Sequence, residues 1–376
     1  MAATELVVER PASAEEVATL LSQGLVTRPV GGRTKLDWGA PGATPQLELS
    51  TDRLDALLEH NQGDLTAVLQ AGMRLSDAQR TFSQAGQRLA LDPPDPDERA
   101  TIGGIVATAD SGPLRHRFGG IRDLILGVQV ALPEGTVVRA GSRVIKNVAG
   151  YDLAKLMCGA FGTLGVVCEV IVRLHPDGGE KVTVVGHGED RAVLARAARD
   201  VARRPLELEA LDLRWDLDRG AVLAQAGGRA ADAAADNVAA AMRAAGLETE
   251  RVSDDEALWA AQRERQRAGD REGAVVRVSF APGALERVLA AGPPLVARAG
   301  AGLAWMRVDP DPAAVAELRQ RLAPCACVLL DAPYSLRARV DPWGIGEGPE
   351  LTLMERVKAR FDPTGICNRG RFVGGL

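Results

Sequence analysis

Three glycine-rich stretches give this chain its chances of meeting a ligand through the backbone. Gly31-Gly32 directly follows a strand-type run, Leu25 to Val30, and leads into Arg33-Thr34-Lys35. Glycine lets the main chain come close to a ligand, and successive amides can form a nest for phosphate. A plain loop turn is the alternative. No Gly-Lys-Ser/Thr follows, so this is not a Walker loop. Small side chains dominate a second stretch, Thr101-Ile102-Gly103-Gly104, then Ala107-Thr108, then Ser111-Gly112. A packed structural segment of that length would carry a large apolar anchor, so the stripped run predicts a bulky ligand in the space. The third stretch, Gly159-Ala160-Phe161-Gly162-Thr163-Leu164-Gly165, has the glycine density of a dinucleotide fingerprint. That fingerprint needs a strand before it and a helix after it. Here a short helical run precedes and a β-branched strand follows, which rejects the Rossmann reading.

Groups able to move a proton are scarce. The four histidines are His60, His116, His175 and His187, and none lies beyond His187. A histidine would be the obvious base for a hydroxyl proton. His175 ends a strand before proline and reads as structural, which leaves His116, in LRHRFGG, as the weak candidate. Arg115, Arg117 and Arg122 could hold a carboxylate or phosphate, or belong to a solvated basic loop. Arg307, on a strand with Trp305, could hold a substrate carboxylate, against the alternative of an ion-paired surface arginine. The five cysteines, an odd number, argue against a disulfide framework. Cys325-Ala-Cys327 sits in CACVLL and reads as strand core. No C-x-x-C occurs, so neither a metal site nor an iron–sulfur cluster is expected within the chain.

These residues need elements to position them. Ser13 and Glu16 have capping-box spacing for a first helix that stops at Gly24. Strands are expected at Leu25 to Val30, Pro45 to Leu49 and Leu65 to Gln70. A helical turn or two is expected over Asp52 to His60, and a helix over Ser76 to Gly86. LDPPDPDERATIGG must pass extended before Thr101. Leu124 to Leu132 and Thr136 to Ala140 form a hairpin. Tyr151 to Cys158, preceded by Lys146 and Asn147, is a short helix that Asp152 caps, and Val166 to Leu174 is an apolar strand. From Lys181 onwards, strand-like runs alternate with alanine- and arginine-rich helices. That order predicts an antiparallel sheet with helices on one face. A helix over Leu351 to Phe361 and the loop FDPTGICNRGRF close the chain.

Bulk properties set the frame. At 376 residues two domains are expected. A net charge of -5 and 3% aromatic residues give no case for nucleic acid. Neither a signal-type leader nor a membrane-length apolar run is seen. A cytoplasmic chain is expected, with any association with the inner membrane made through partners.

RPVGGRTKLDWG, LDPPDPDERATIGGIVATADSG, IRDLILGV, KNVAGYDLAKLMCGAFGTLGVV and FDPTGICNRGR, in that order, resemble the vanillyl-alcohol-oxidase or PCMH type of FAD-binding oxidoreductase. Within it they are similar to the FAD-binding subunits of bacterial glycolate oxidases. The resemblance implies an α+β fold: two α+β subdomains holding FAD (residues 1–176), a ferredoxin-like antiparallel α+β cap or substrate domain (177–338), and a C-terminal helix and loop returning to the flavin (339–376). It also implies that Pro29, Val30, Gly31, Gly32, Arg33, Thr34 and Lys35 surround the FAD pyrophosphate. Thr101, Ile102, Gly103, Gly104, Ala107, Thr108, Ser111 and Gly112 would line the diphosphate and the isoalloxazine edge. Val166 and Val167 would meet the cofactor through main-chain groups. Asn368 belongs to a family loop in which Arg369 here replaces the usual proline. Relatives that tether FAD use a histidine in the first glycine loop. This loop has none, so FAD is expected to be non-covalent. The implied activity is that of the flavin subunit of a glycolate (2-hydroxy acid) oxidase or dehydrogenase, working with a second flavoprotein subunit and an iron–sulfur subunit. Two other readings stay open: an electron-relay or assembly subunit without substrate chemistry, and a self-sufficient FAD-dependent dehydrogenase of another hydroxy acid.

Overall fold

The computed structural model describes residues 6–142, 152–269 and 273–376. Lys146, Asn147 and Tyr151 lie outside the described residues.

The first half is built on two sheets. Val7–Glu9, Leu47–Ser50 and Thr27–Val30 form a parallel three-stranded sheet with Leu47–Ser50 in the middle. The C-terminal segment adds to its edge: Thr27 donates to the Ile366 carbonyl and Asn368 to the Thr27 carbonyl, each at 2.8 Å. The second sheet is antiparallel and runs Leu57–Asn61, Thr66–Gln70, Val166–Arg173, Ile125–Ala131, Val137–Gly141. Val166–Arg173 alternates buried and half-buried positions residue by residue, as expected for a strand with one face on a core. That core also takes Ile102, Ile105 and Val106 from the helix Ile102–Thr108. The helix Ala14–Leu21 is capped as expected, the Ser13 hydroxyl accepting from the Glu16 amide at 3.1 Å. Asp152 likewise accepts from the Lys155 amide, starting the helix Leu153–Met157.

One local expectation fails. The segment after Asp52 makes the strand Leu57–Asn61, not helical turns. Its isolated apolar residues fit either period, and pairing with Thr66–Gln70 across a short turn decides for the sheet.

The second half is an eight-stranded, wholly antiparallel sheet. Its order is Glu248–Val252, Lys181–Gly188, Arg219–Gly227, Leu208–Asp216, Leu295–Arg298, Leu303–Val308, Ala274–Ser279, Ala326–Asp331. The helices Arg191–Ala202, Ala231–Ala244, Leu285–Ala290 and Pro312–Leu322 cover one face through a core rich in alanine and leucine. Alanine on both partners lets helix and sheet approach closely with little side-chain entropy to lose. Part of the other face meets the first half: Val275, Val296, Trp305, Val328 and Leu330 pack with Trp38, Phe161 and Trp343. The helix Pro349–Phe361 then returns the chain to the first half.

Candidate functional site: a cleft lined by backbone

A cleft of about 950 Å³, counting its open mouth, runs between the loop after Thr27–Val30, the helix Ile102–Thr108 and the loop Ala160–Gly165. Pro29 to Lys35, Thr101, Gly103, Gly104, Ala107, Thr108, Val166, Val167 and Asn368 all line it. The structure therefore brings together most of the residues singled out in the sequence, from four separate segments.

Three of those residues stand elsewhere. Ile102 is fully buried in the core beneath the cleft. The stretch read as a small-residue run begins as a helix of about two turns, Ile102–Thr108, so its residues divide by face. Gly103, Gly104, Ala107 and Thr108 meet the cleft, while Ile102 and Val106 meet the core. Ser111 is buried and off the lining, past Ala109, whose φ of 50° ends the helix. Gly112 packs on another loop: a Cβ there would lie 1.7 Å from the Asp92 carbonyl oxygen. Sequence reasoning gave no cofactor role to Arg371, three residues beyond Asn368, or to the Phe161–Gly162 turn of the third glycine-rich stretch, and both are on the cleft wall.

Packing between loops accounts for several glycines. A Cβ on Gly31 would stand 2.2 Å from Thr101 Oγ1, and one on Gly32 would stand 1.6 Å from the Arg99 carbonyl oxygen. Gly31 thus leaves room for the Thr101 hydroxyl, which caps its helix by accepting from the Gly104 amide at 3.2 Å. The loop Gly159–Gly162 is tied to the end of the same helix. Gly159 donates to the Val106 carbonyl at 2.9 Å and Phe161 to the Ala107 carbonyl at 2.8 Å. Asn368 Nδ2 then donates to the Phe161 carbonyl at 2.6 Å. Along these loops, backbone and small side chains make up much of the wall, beside the larger Met157, Phe161 and Leu164.

The electrostatics favour an anion. The lining carries Arg33, Lys35 and Arg371 and, among the described residues, no carboxylate. Behind it, Glu48 takes hydrogen bonds from Arg28 (2.8 Å) and Arg33. Burial pushes the Glu48 carboxyl up, but the two guanidinium groups outweigh it and hold it below the usual carboxylate range. Lys35 lies 3.2 Å from Asp110 Oδ2. Arg371 donates to the carbonyls of Leu36 and Trp38, so it braces the glycine loop as well as facing the cleft. Its burial lowers its pKa to about 10.

Neither candidate for proton or carboxylate chemistry lies on this lining. His116 packs against the loop at Gly300, and burial lowers its pKa, favouring the neutral imidazole. Arg307 is exposed at the margin of the eight-stranded sheet and donates to the Arg267 carbonyl at 3.1 Å.

An open channel with three cations, no acid and glycine-bearing walls suits an extended dinucleotide with a diphosphate at its middle. Residues 6–141 match the model of the FAD binding domain. Over that span the chain is similar to this domain.

Curated relatives match over 146 to 175 residues. The chain is 36% identical over 171 residues to an uncharacterized FAD-linked oxidoreductase of Mycobacterium tuberculosis, covering 44% of this chain and 37% of that protein. It is 35% identical over 146 residues to the glycolate oxidase subunit GlcE of Escherichia coli (39% and 41%). It is also 35% identical over 175 residues to a D-2-hydroxyglutarate dehydrogenase of Xanthomonas citri (45% and 36%). The chain thus spans well under half the length of each of these relatives. Among solved structures, alkyldihydroxyacetonephosphate synthase superposes with a TM-score of 0.72 at 17% identity, over 96% of this chain and 75% of that one. A chitooligosaccharide oxidase gives 0.66 at 16%, over 96% and 89%. At those identities the likeness concerns the α+β fold alone, and it extends through the eight-stranded half. FAD is the cofactor of this domain.

Proposed function

We propose that the chain is an FAD-dependent oxidoreductase, the flavin subunit of a glycolate-type 2-hydroxy-acid oxidase or dehydrogenase. The observation that carries this reading is the acid-free, glycine-walled cleft within a domain of the FAD-binding family. Relatives named for glycolate and D-2-hydroxyglutarate support the substrate class. The bound flavin would supply two-electron acceptor chemistry. The chain's own contribution is to hold it: backbone groups of Gly31 to Thr34 and of the helix Ile102–Thr108 receive the diphosphate, Arg33, Lys35 and Arg371 balance its charge, and Asn368 fixes the wall at Phe161. No histidine, cysteine or tyrosine lines the cleft among the described residues, which supports non-covalent FAD. With no cluster-type cysteine set in the chain, electrons would leave to an iron–sulfur partner.

The lack of an imidazole on the lining favours a second reading, an electron-relay subunit that receives electrons from a second flavoprotein. Anaerobic mixing with glycolate or D-lactate separates the two. Bleaching of the flavin by the chain alone supports the dehydrogenase and sinks the relay. Bleaching only after a second flavin subunit is added does the reverse.

A further inference from the structure

The face of the eight-stranded sheet that meets the first half carries charge in an enclosed place. Leu213 pairs with Ala297, so the next pair along sets Asp212 beside Arg298. Arg277 pairs with Trp305, and Trp305 with Val296, which keeps all these side chains on one face. Arg298 is 0% exposed, and its guanidinium stacks on Trp305 at 4.3 Å. Its nearest counter-charge is Asp212 Oδ1, 3.7 Å from Nε, beyond hydrogen-bond length. Among the described residues, none of its three nitrogens has a hydrogen-bond partner, nor has Nε of Arg277.

The first half brings Asp92, Asp110 and Arg115 near enough for their charges to act on these arginines. Those carboxylates are already engaged. Asp92 Oδ1 accepts from the Leu114 amide at 3.0 Å. Asp110 accepts from the Ser111 amide at 2.9 Å and faces Lys35 of the cleft. Burial also pushes Asp92 up to about 7 and Asp212 up to about 6, against the pull of Arg298. Arg277, Arg298, Arg115 and Lys35 thus face one carboxylate fewer, those of Asp92, Asp110 and Asp212. Asp110 links this pocket of charge to the cleft, since it answers Lys35 on one side and the two arginines on the other.

Leaving a guanidinium buried without partners costs several kcal/mol. A planar fork of N–H donors is matched by a carboxylate, which can take two parallel hydrogen bonds from it. We propose that Arg298, with Arg277 beside it, binds the carboxylate of a small organic acid at the seam between the two halves. This deepens the hydroxy-acid reading above and rests on it for the substrate class. The carboxylate supplies the acceptors that Arg298 lacks. Trp305 holds the guanidinium plane, and Asp212 keeps its orientation through charge alone. Arg277, half-buried, is the less enclosed of the pair. Arg307 shares the face but lies at its exposed margin, outside the pocket of charge.

Oxalate, which cannot be oxidised at a hydroxyl carbon, is the probe. Calorimetric titration of the FAD-loaded chain should show saturable oxalate binding. Arg298→Lys, which keeps the charge and loses the fork, and Arg277→Gln should each weaken it at least tenfold with FAD content unchanged. Arg307→Ala should leave it as it was. No oxalate binding to the wild-type chain, or equal binding in all variants, overturns the proposal. Inorganic phosphate binding as tightly as oxalate would overturn the carboxylate assignment. If Arg298→Lys does not fold, Arg277→Gln carries the test. A chain that takes up no FAD counts against the flavin reading alone, because the same titration on flavin-free protein still decides the fate of the arginine pair.

Discussion

Gly32 leaves no room for a side chain, since the Cβ of an alanine would overlap the Arg99 carbonyl oxygen at 1.6 Å. The backbone fixes the position of the Cβ and carries the oxygen, so relief must come from moving one loop away from the other. Gly32→Ala should therefore open the cleft wall and weaken FAD binding at least tenfold, read as the ratio of flavin to protein absorbance after desalting. Gly283→Ala, where a Cβ meets nothing and the backbone is not left-handed, serves as the control. Lys358 illustrates the opposite case, a polar group buried because it is fully used. Its ammonium donates to the Thr163 carbonyl (2.7 Å), Asp362 Oδ2 (2.6 Å) and the Cys367 carbonyl (3.1 Å). Asp362 in turn accepts from the amides of Ile366 and Cys367. Lys358→Met removes the cation and leaves that carboxylate buried without it. A loss of about 3–5 kcal/mol is expected from urea unfolding.

At the level of elements, the seam strand Leu208–Asp216 predicts a pH effect. Burial raises the Asp212 carboxyl from 3.8 to about 6, with Arg298 and the Gln262 amide opposing it. A folded-state value above the unfolded one means that the folded chain binds more protons between about pH 4 and about pH 6. Stability from this group is then greatest at the acid end and falls as pH rises through that window. Asp212→Asn should flatten the slope of Tm against pH there and leave it unaltered above pH 7. The helix Ile102–Thr108 shows what could be read in advance. Its glycines and small residues marked the stretch that lines the cleft, because those side chains are a local property of the sequence. Treating the stretch as a loop, however, swept in Ile102, Ser111 and Gly112. Sorting it by a helical period would have sent Ile102 to the core. Arg277 and Arg298 carried no such mark. Which arginine on a strand is enclosed depends on what covers that face. Here the cover comes from Asp92 and from Asp110 to Arg115, far away in the chain. Arg307, two residues from Trp305 on the same strand, shares its face but stands exposed at the rim.

Across the whole molecule, the two halves are joined by contacts distant in sequence. Arg88 donates to both oxygens of Glu209, at 3.1 and 2.5 Å, and Glu209 is almost wholly buried. Arg267 reaches from the second half to the Thr34 carbonyl at 3.1 Å. Arg337 is buried and reaches the Gly39 carbonyl at 3.3 Å. The glycine loop of the first half is thus held partly by the second. Arg88→Met should cost about 3 kcal/mol by leaving Glu209 enclosed with only Lys181 nearby, seen as a lower denaturant midpoint. Among the described residues no helix is long and apolar enough to cross a membrane.

The aromatic seam has an optical consequence. All five tryptophans are buried, and three of them, Trp38, Trp305 and Trp343, share one cluster with Phe161. Phe161 forms part of the cleft wall, and its ring lies 5.0 Å from that of Trp343. Three of the chain's five tryptophans are therefore grouped beside the place where a yellow chromophore absorbing near their emission would sit. Loading FAD should quench intrinsic fluorescence by energy transfer, most strongly from Trp343. A Trp343→Phe chain should lose a large share of that quenching while still taking up flavin, so cofactor occupancy could be followed by emission alone without a label.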